Sequence, residues 1–364
     1  MNKSKKKIIF IVIGILIVLT IVAISSFTVW YKNSLKAISK NSKEGTVRIT
    51  IPEKTSTTDI TKILYNKGLI KNALAVNIYI RINGISNLQA GKYELKRNED
   101  VPTIISHIQN GDIASDEVKI TFIEGKNMRW IAKKIADKTN NTEEDVFNLL
   151  KNEEYIDSLI EKYWFLTDEI KDEQIYYPLE GYLLPDTYTF ENDDVSVKTI
   201  FNIILNYMDK KLTSLKEQIE QKNYTIHQML TLASMAELEG KSDSDRAEIV
   251  GVFFNRLNQN MSLGSDVTTY YAFKVDMGDR NLTTNEIKTY SPYNTRGPQM
   301  NGKIPIGPIC NPSVSAIKAA LNPTESDNLY FVADKNGKVY FTKTYEEHTE
   351  MIQKLKDEGL WFTY

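Results

Sequence analysis

The sequence is short of the residues that hold metals and cross-links. Its 364 positions include one cysteine, Cys310, and three histidines, His107, His227 and His348. A lone thiol excludes an internal disulfide framework and a cysteine zinc cage, and the histidines show no ligand-like spacing. No metal and no other cofactor is expected. Glycine and proline, at 17 and 10 residues, are too few for a fibrous or low-complexity chain. No Gly-x-Ser-x-Gly elbow is present. Gly240-Lys241-Ser242 fails as a phosphate loop, because Met235 stands where its first glycine belongs and a helix precedes it where a strand is required. A basic excess is missing too: the net charge is -2, and it divides unevenly. Residues 1–45 carry eight lysines against Glu44, whereas the other 319 residues hold 37 bases and 46 acids. An acidic body lacks the surface that neutralises phosphates, so no nucleic-acid partner is expected.

What is present begins with a run that has no charge. Residues 8–30 are dominated by Ile, Val, Leu and Phe, come after Lys3, Lys5, Lys6 and Lys7, and end on the aromatic pair Trp30 and Tyr31. At about 1.5 Å per residue the run reaches about 34 Å, enough to cross a hydrocarbon core of about 30 Å. A cleaved signal peptide is the alternative, since Ala23-Ile24-Ser25 loosely resembles a cleavage site. The run outlasts a signal h-region, which favours an uncleaved single-pass anchor over residues 1–31. The denser lysine cluster abuts the N-terminal end, so the N-terminus is expected in the cytoplasm and the body outside the cell membrane. Residues 32–45 read as a flexible juxtamembrane linker.

The remainder reads as α+β. Residues 47–51 alternate as a strand, and Thr57-Thr58-Asp59 opens a helix with an apolar stripe at Ile60, Ile63 and Leu64. The pattern recurs seventy-one residues on, where Phe122-Ile123-Glu124 and Ile131 to Ile135 match Ile51-Pro52-Glu53 and Ile60 to Leu64. Near Gln174 the composition shifts to clusters of Tyr, Pro, Gly and small polar residues, as in binding surfaces built on loops. The expected division is a strand-helix region over 46–174 and a mixed α+β domain over 175–364.

The helix expected over 225–240 is apolar almost all round, which predicts burial. Glu237 shares a face with Leu230 and Ala233; Glu239 shares one with Leu232 and Met235. Either carboxyl could be pressed against apolar neighbours, a setting that raises its pKa as a general acid requires. Spacing does not choose between them. Polar and aromatic clusters at 180–188, 263–270 and 291–295 suit sugar rings, which offer faces for stacking and hydroxyls for hydrogen bonds.

Taken in order, these segments resemble the YceG-like family of endolytic murein transglycosylases. The resemblance runs through Glu180-Gly181-Tyr182-Leu183-Leu184-Pro185-Asp186-Thr187-Tyr188, Leu232-Ala233-Ser234-Met235-Ala236-Glu237, Val252-Phe253-Phe254-Asn255-Arg256-Leu257 and Ser265-Asp266. It continues through Ser291-Pro292-Tyr293-Asn294-Thr295, Pro305-Ile306-Gly307-Pro308-Ile309-Cys310-Asn311-Pro312 and Leu329-Tyr330-Phe331-Val332-Ala333-Asp334 to His348. It implies a LysM-like module ahead of the catalytic domain, and Glu237 as the catalytic residue. It implies a substrate of nascent peptidoglycan glycan strands, with synthases as possible partners. Glu180, Tyr182, Asp186, Ser265, Asp266, Thr268, Tyr293, Asn294 and Thr295 are the expected substrate-binding residues. The implied reaction uses Glu237 as acid and then base, closing a 1,6-anhydro ring on muramic acid. A hydrolytic muramidase pairing Glu237 with Asp266, Asp186 or Glu239, and a non-catalytic wall-binding scaffold, are the rival readings. The sequence departs from the family at Gly264, Val267 and residues 303–307, which puts fine substrate preference in doubt, and at Leu238, a change with no assigned consequence.

Overall fold

The computed structural model describes residues 3–40, 45–112 and 116–361, with side chains from residue 10 onward. The chain forms two compact units, Met1–Asp116 and Glu117–Tyr364.

The first unit opens with helix α1 (Lys3–Ser34), whose segment Phe10–Ser34 holds an 18-residue stretch with a mean hydropathy of 2.9 and none of that stretch buried. By length and composition this helix could cross a membrane. Of the expected linker, residues 32–34 continue α1, residues 35–40 follow it, and residues 41–44 lie outside the described residues. Leu35 packs on the core of this unit, its carbonyl accepts the Val101 N–H at 3.0 Å, and the Ser39 N–H reaches Arg97 O at 3.0 Å.

Strand β1 (Thr46–Ile51) leads through helices α2 (Thr57–Asn66) and α3 (Ala73–Ile82) to strand β2 (Gly91–Lys96), and α4 (Val101–Asn110) comes next. β1 and β2 pair antiparallel from Thr46↔Lys96 to Ile51↔Gly91. Alternation along the pair turns Ile49, Ile51, Tyr93 and Leu95 inward onto Ile60, Leu64, Ile104 and Ile108.

The second unit contains β3 (Val118–Phe122), α5 (Met128–Ala136), α6 (Glu143–Leu150), α7 (Glu153–Lys162), β4 (Asp186–Phe190), α8 (Val197–Thr213) and α9 (Lys216–Glu220). Next come α10 (Ile226–Glu239), α11 (Asp243–Asn258), α12 (Asp266–Ala272), α13 (Thr284–Lys288), α14 (Val314–Leu321), β5 (Tyr330–Ala333), β6 (Val339–Thr342) and α15 (Tyr345–Asp357). The boundary expected near residue 175 falls inside this unit. β3 pairs with β4 from Val118↔Phe190 to Phe122↔Asp186, and Ile120, Phe122 and Ile131 share one core with Ile200, Phe201 and Leu230. Residues 118–174 therefore belong to the same unit as α8 and α10, and not to the unit of β1 and β2.

The internal repeat is visible in the turns. Lys54 and Gly125, seventy-one residues apart, both take left-handed φ, at 62° and 74°. Ser56 and Asn127 then cap α2 and α5, each side chain accepting the N–H three residues on, from Asp59 and Trp130. In the second copy glycine is needed for a further reason: a Cβ on Gly125 would lie 3.1 Å from Leu238 Cδ2. The turn therefore presses directly against the end of α10.

Candidate active site

Helix α10 starts at a capping box, with Thr225 Oγ1 accepting the Gln228 N–H while the Gln228 side chain accepts the Thr225 N–H. From Ile226 to Ala236 it is buried at all but one position, packed against α11 and α14, and only its last turn reaches a surface. Glu237 lies in that turn.

Its carboxylate is not isolated among apolar groups as the sequence suggested. Oε1 accepts from Arg246 Nη2 at 2.8 Å, and Oε2 accepts the Ser313 N–H at 2.8 Å and also bonds the Ser313 hydroxyl. The Glu237 side chain is 5% exposed and that of Arg246 14%. The donors come from other elements: Arg246 from the first turn of α11, and Ser313 from the N-cap of α14, where its Oγ also accepts the Ala316 N–H. The N-terminus of α14 is thus aimed at a carboxylate, a favourable charge–dipole arrangement. An apolar stripe describes only the helix that carries a residue. Here the neighbouring helices supply the polar half of the surroundings.

Glu239, two residues on, faces elsewhere. It accepts from Ser265 Oγ at 2.6 Å. Burial, and to a smaller degree the nearby Asp266 carboxylate, push its pKa up, against the pull of Ser265 and Arg296. Neither acid is exposed; Glu237 is bonded by a guanidinium, and Glu239 by a hydroxyl.

An open groove runs past both. Its first section, about 430 Å³, lies between the Gly125 turn with Trp130 and the stretch holding Tyr270, Asp276 and Met277. The second, about 580 Å³, is flanked by Lys241, Asn281 and Lys335. The third, about 730 Å³, lies against β5 and α15. Glu237, Leu238, Val267, Tyr270 and Met277 line both the first and the second section, and Glu239, Asp266, Ile287 and Ala333 line both the second and the third. The two glutamates therefore mark two successive positions along one surface.

Of the expected substrate-binding residues, Ser265 and Asp266 line this groove, Asp266 in an ion pair with Arg296. Six others lie beneath it. Tyr182 is fully buried, its hydroxyl 2.8 Å from His227 Nδ1, and Tyr293 is buried with Tyr176 and Tyr271 rings at 4.8 and 4.9 Å. Thr268 and Thr295 join their hydroxyls at 2.8 Å. Asn294 accepts from Thr269 at 2.6 Å and donates to the carbonyls of Glu286, Ile287 and Thr289. These residues set the loop shapes that the groove requires; as folded, they do not present atoms to it.

Glu180 is the sixth, 2% exposed. It accepts from the Met128 N–H at 2.9 Å, the Tyr271 hydroxyl at 3.0 Å and Asn311 Nδ2 at 3.1 Å. Asn311 in turn accepts the Leu183 N–H and exchanges backbone bonds with Gly125 and Lys126. Glu180 thereby ties the Gly125 turn to the segment that delivers Ser313. Asp186 is exposed at the start of β4, paired across from Phe122 and outside the groove.

Sequence reasoning missed Arg246, Ser313 and Trp130. Trp130 carried a signal, because it occupies the repeat position where the first copy has Asp59. It lines the groove with Lys126 and Lys134 ammonium groups 6.0 and 5.5 Å from its ring.

Comparison with known proteins agrees with this architecture. A model described as the YceG-like family matches residues 49–354. The "Endolytic murein transglycosylase" of Bacillus subtilis (strain 168) is 35% identical over 324 residues, covering 89% of this chain and 88% of that protein. The protein of the same name from Streptococcus pneumoniae (strain ATCC BAA-255 / R6) is 32% identical over 338 residues, covering 88% of this chain and 60% of that protein. A crystal structure of a yceG-like protein from Listeria monocytogenes superposes with a TM-score of 0.61 at 34% identity, covering 86% of this chain and 100% of that one.

Proposed function

The chain belongs to the YceG-like family, and from that premise we propose that it is a membrane-anchored endolytic lytic transglycosylase of peptidoglycan. The observation that carries the reading is the position of Glu237, at the meeting of two sections of an open groove with donors on both carboxylate oxygens. An open groove admits the middle of a polymer as well as its end, which suits cleavage within chains.

In this reading Glu237 protonates the glycosidic oxygen between N-acetylmuramic acid and N-acetylglucosamine as positive charge develops at the anomeric carbon. The carboxylate so formed is stabilised by Arg246 and the Ser313 N–H. It then takes the proton of the muramic acid C6 hydroxyl, whose oxygen attacks the anomeric carbon and closes the 1,6-anhydro ring. The Ser313 hydroxyl can donate or accept, so it serves both protonation states. No water is consumed, and a second carboxylate is not required.

α1 is the single-pass anchor of this proposal, with the lysine-rich end in the cytoplasm and the catalytic unit outside. The β1-α2-α3-β2 arrangement is proposed as a LysM-like glycan-binding module, and peptidoglycan synthases are proposed partners. Glu237→Gln keeps the shape of the carboxyl and removes its titration. The expected result is loss of anhydro-ended products by at least about a hundredfold, with glycan binding retained. Undiminished anhydro ends from the purified variant would refute the assignment. One observation favours a second reading, a hydrolytic muramidase: Glu239, with its pKa pushed up by burial, is a second acid close along the groove. Mass spectrometry of released ends separates the two, because hydrolysis leaves ends one water heavier.

A further inference from the structure

The third section of the groove has a chemistry that the first two lack. Two guanidinium groups line it, from Arg256 and Arg296. Arg256 is firmly held: Nε donates to Leu329 O at 2.6 Å, Nη1 donates to Leu263 O at 2.9 Å and to Ser262 O at 3.2 Å, and the guanidinium lies 5.0 Å from the Tyr330 ring centre. Arg296 pairs with Asp266 at the margin toward the second section. The other acid there, Glu239, is shifted toward its neutral form by burial. The two guanidinium groups thus stand beside two acids, Asp266 paired with Arg296 and Glu239 bonded by the Ser265 hydroxyl. His348 reports the same field: burial first, then Arg256 and Arg296, hold its pKa below the usual imidazole range. Its Nδ1 is buried without a hydrogen-bond partner, and its ring stacks on Tyr330 at 5.3 Å.

The wall of this section is a strand edge. All four residues of β5 line it, and among the described residues β5 pairs with β6 alone. A short, half-buried edge beside guanidinium groups is suited to an extended peptide with a carboxylate, since backbone pairing aligns the chain and arginine receives the charge.

In a strand that carries its stems, the lactyl carboxyl of each muramic acid is taken up in an amide bond, so the glycan itself is uncharged. The carboxylates of peptidoglycan sit on the peptide stems carried by the lactyl group of muramic acid. We propose that the third section binds the peptide stem of a muramic acid flanking the cleaved bond, its carboxylate held by Arg256 and Arg296 and its backbone extended along the edge of β5. The substrate is then a strand that still carries its stems, as newly made glycan does, and not a strand stripped of them. This proposal rests on the reading of the groove as a glycan site.

The test uses the full chain in mild detergent and three substrates of matched length: strands with intact stems, the same strands stripped by an amidase, which removes the peptide but frees a lactyl carboxylate on each muramic acid, and strands whose stem carboxylates are converted to amides, which keep the peptide and lose the charge. A charge-assisted pair corresponds to about ten- to hundredfold. The expected kcat/KM is higher by that factor for intact stems than for the other two, mainly through KM. Arg296→Gln is expected to bring the ratio toward one; it is preferred to Arg256 because Arg256 also holds three backbone carbonyls. A purely structural role for Arg296 would depress all three substrates alike and so overturn the proposal. Equal wild-type rates on all three would also overturn it while leaving the reaction standing. Should no strand be cleaved, the reading of function falls, and calorimetric binding of intact against stripped strands still decides the stem site: equal affinities refute it and a preference for stems supports it.

Discussion

Glu180 offers a test in which the sign matters as much as the size. Burial is the largest influence on this carboxyl and pushes its pKa up to about 7, while the Met128 N–H, the Tyr271 hydroxyl, Arg129 and Asn311 pull the other way. An unfolded chain would titrate the same group near its ordinary 4.5. The folded state therefore holds the proton more tightly. The stability this group contributes is fully present below about pH 4.5 and is lost as pH rises to about 7. At about 1.4 kcal/mol per pKa unit the swing is about 3 kcal/mol. Glu180→Gln removes the titration. It keeps a carbonyl for Met128 and Tyr271 but sets an amide against Asn311 Nδ2, at a cost of about 1–2 kcal/mol. Urea unfolding of both proteins in mild detergent should find the variant less stable by about 1–2 kcal/mol at pH 4. By pH 8 it should be level with wild type or ahead by a similar margin. Groups common to both proteins cancel in the difference. A difference that stays flat from pH 4 to pH 8, or widens against the variant as pH rises, would refute the reasoning, because Glu180 would then be buried as a stabilised anion.

Two substitutions probe the surroundings of Glu237. Ser313→Ala removes a bond to the carboxylate and the N-cap of α14; stability should fall by about 1 kcal/mol, and kcat by about tenfold with KM little changed. An unaltered kcat would make Ser313 only a cap. Gly125→Ala forces a side chain into φ 74° and brings a Cβ to 3.1 Å from Leu238 Cδ2. Thermal unfolding should show a loss of about 1–2 kcal/mol, and kcat/KM should drop as the end of α10 is displaced. Wild-type kinetics in a folded variant would show that the close approach is not needed for the site.

Local patterning was legible wherever one element decides its own environment. The apolar run of α1, the alternation in β1 and β3, the burial of α10 and the repeat across seventy-one residues all arise from side-chain period and turn chemistry. The membership of residues 118–174 in the second unit was not legible in composition, because it depends on a pairing between β3 and β4 that are more than sixty residues apart. The burial of the polar clusters was hidden for a related reason. Tyr293, Asn294, Thr295 and Thr268 look like sugar-binding side chains when read as loop residues, yet a groove built from loops needs buried polar groups to hold its backbone carbonyls and hydroxyls. Conspicuous polar residues are then as often the frame of a site as its surface.

The case of Glu237 shows where a helix pattern stops being informative about chemistry. Ten buried residues precede it in α10, and continuing that pattern one turn further suggests a desolvated acid. Helix ends, however, are where other helices can meet, and the free N–H groups of their first turns are donors without intrahelical acceptors. The N-cap residue of α14 and an arginine in the first turn of α11 converge on the last turn of α10, and they turn an apolar helix end into a carboxylate receptor. Glu239, on the same turn, points toward the loop before α12, where a hydroxyl bonds it and burial pushes its pKa up. One turn of helix thus presents two carboxyls with different partners along a single groove. In the proposed acid-then-base chemistry, the donors around Glu237 stabilise the anion left by the first proton transfer, and the Ser313 hydroxyl can turn to accept from the protonated carboxyl that starts the reaction.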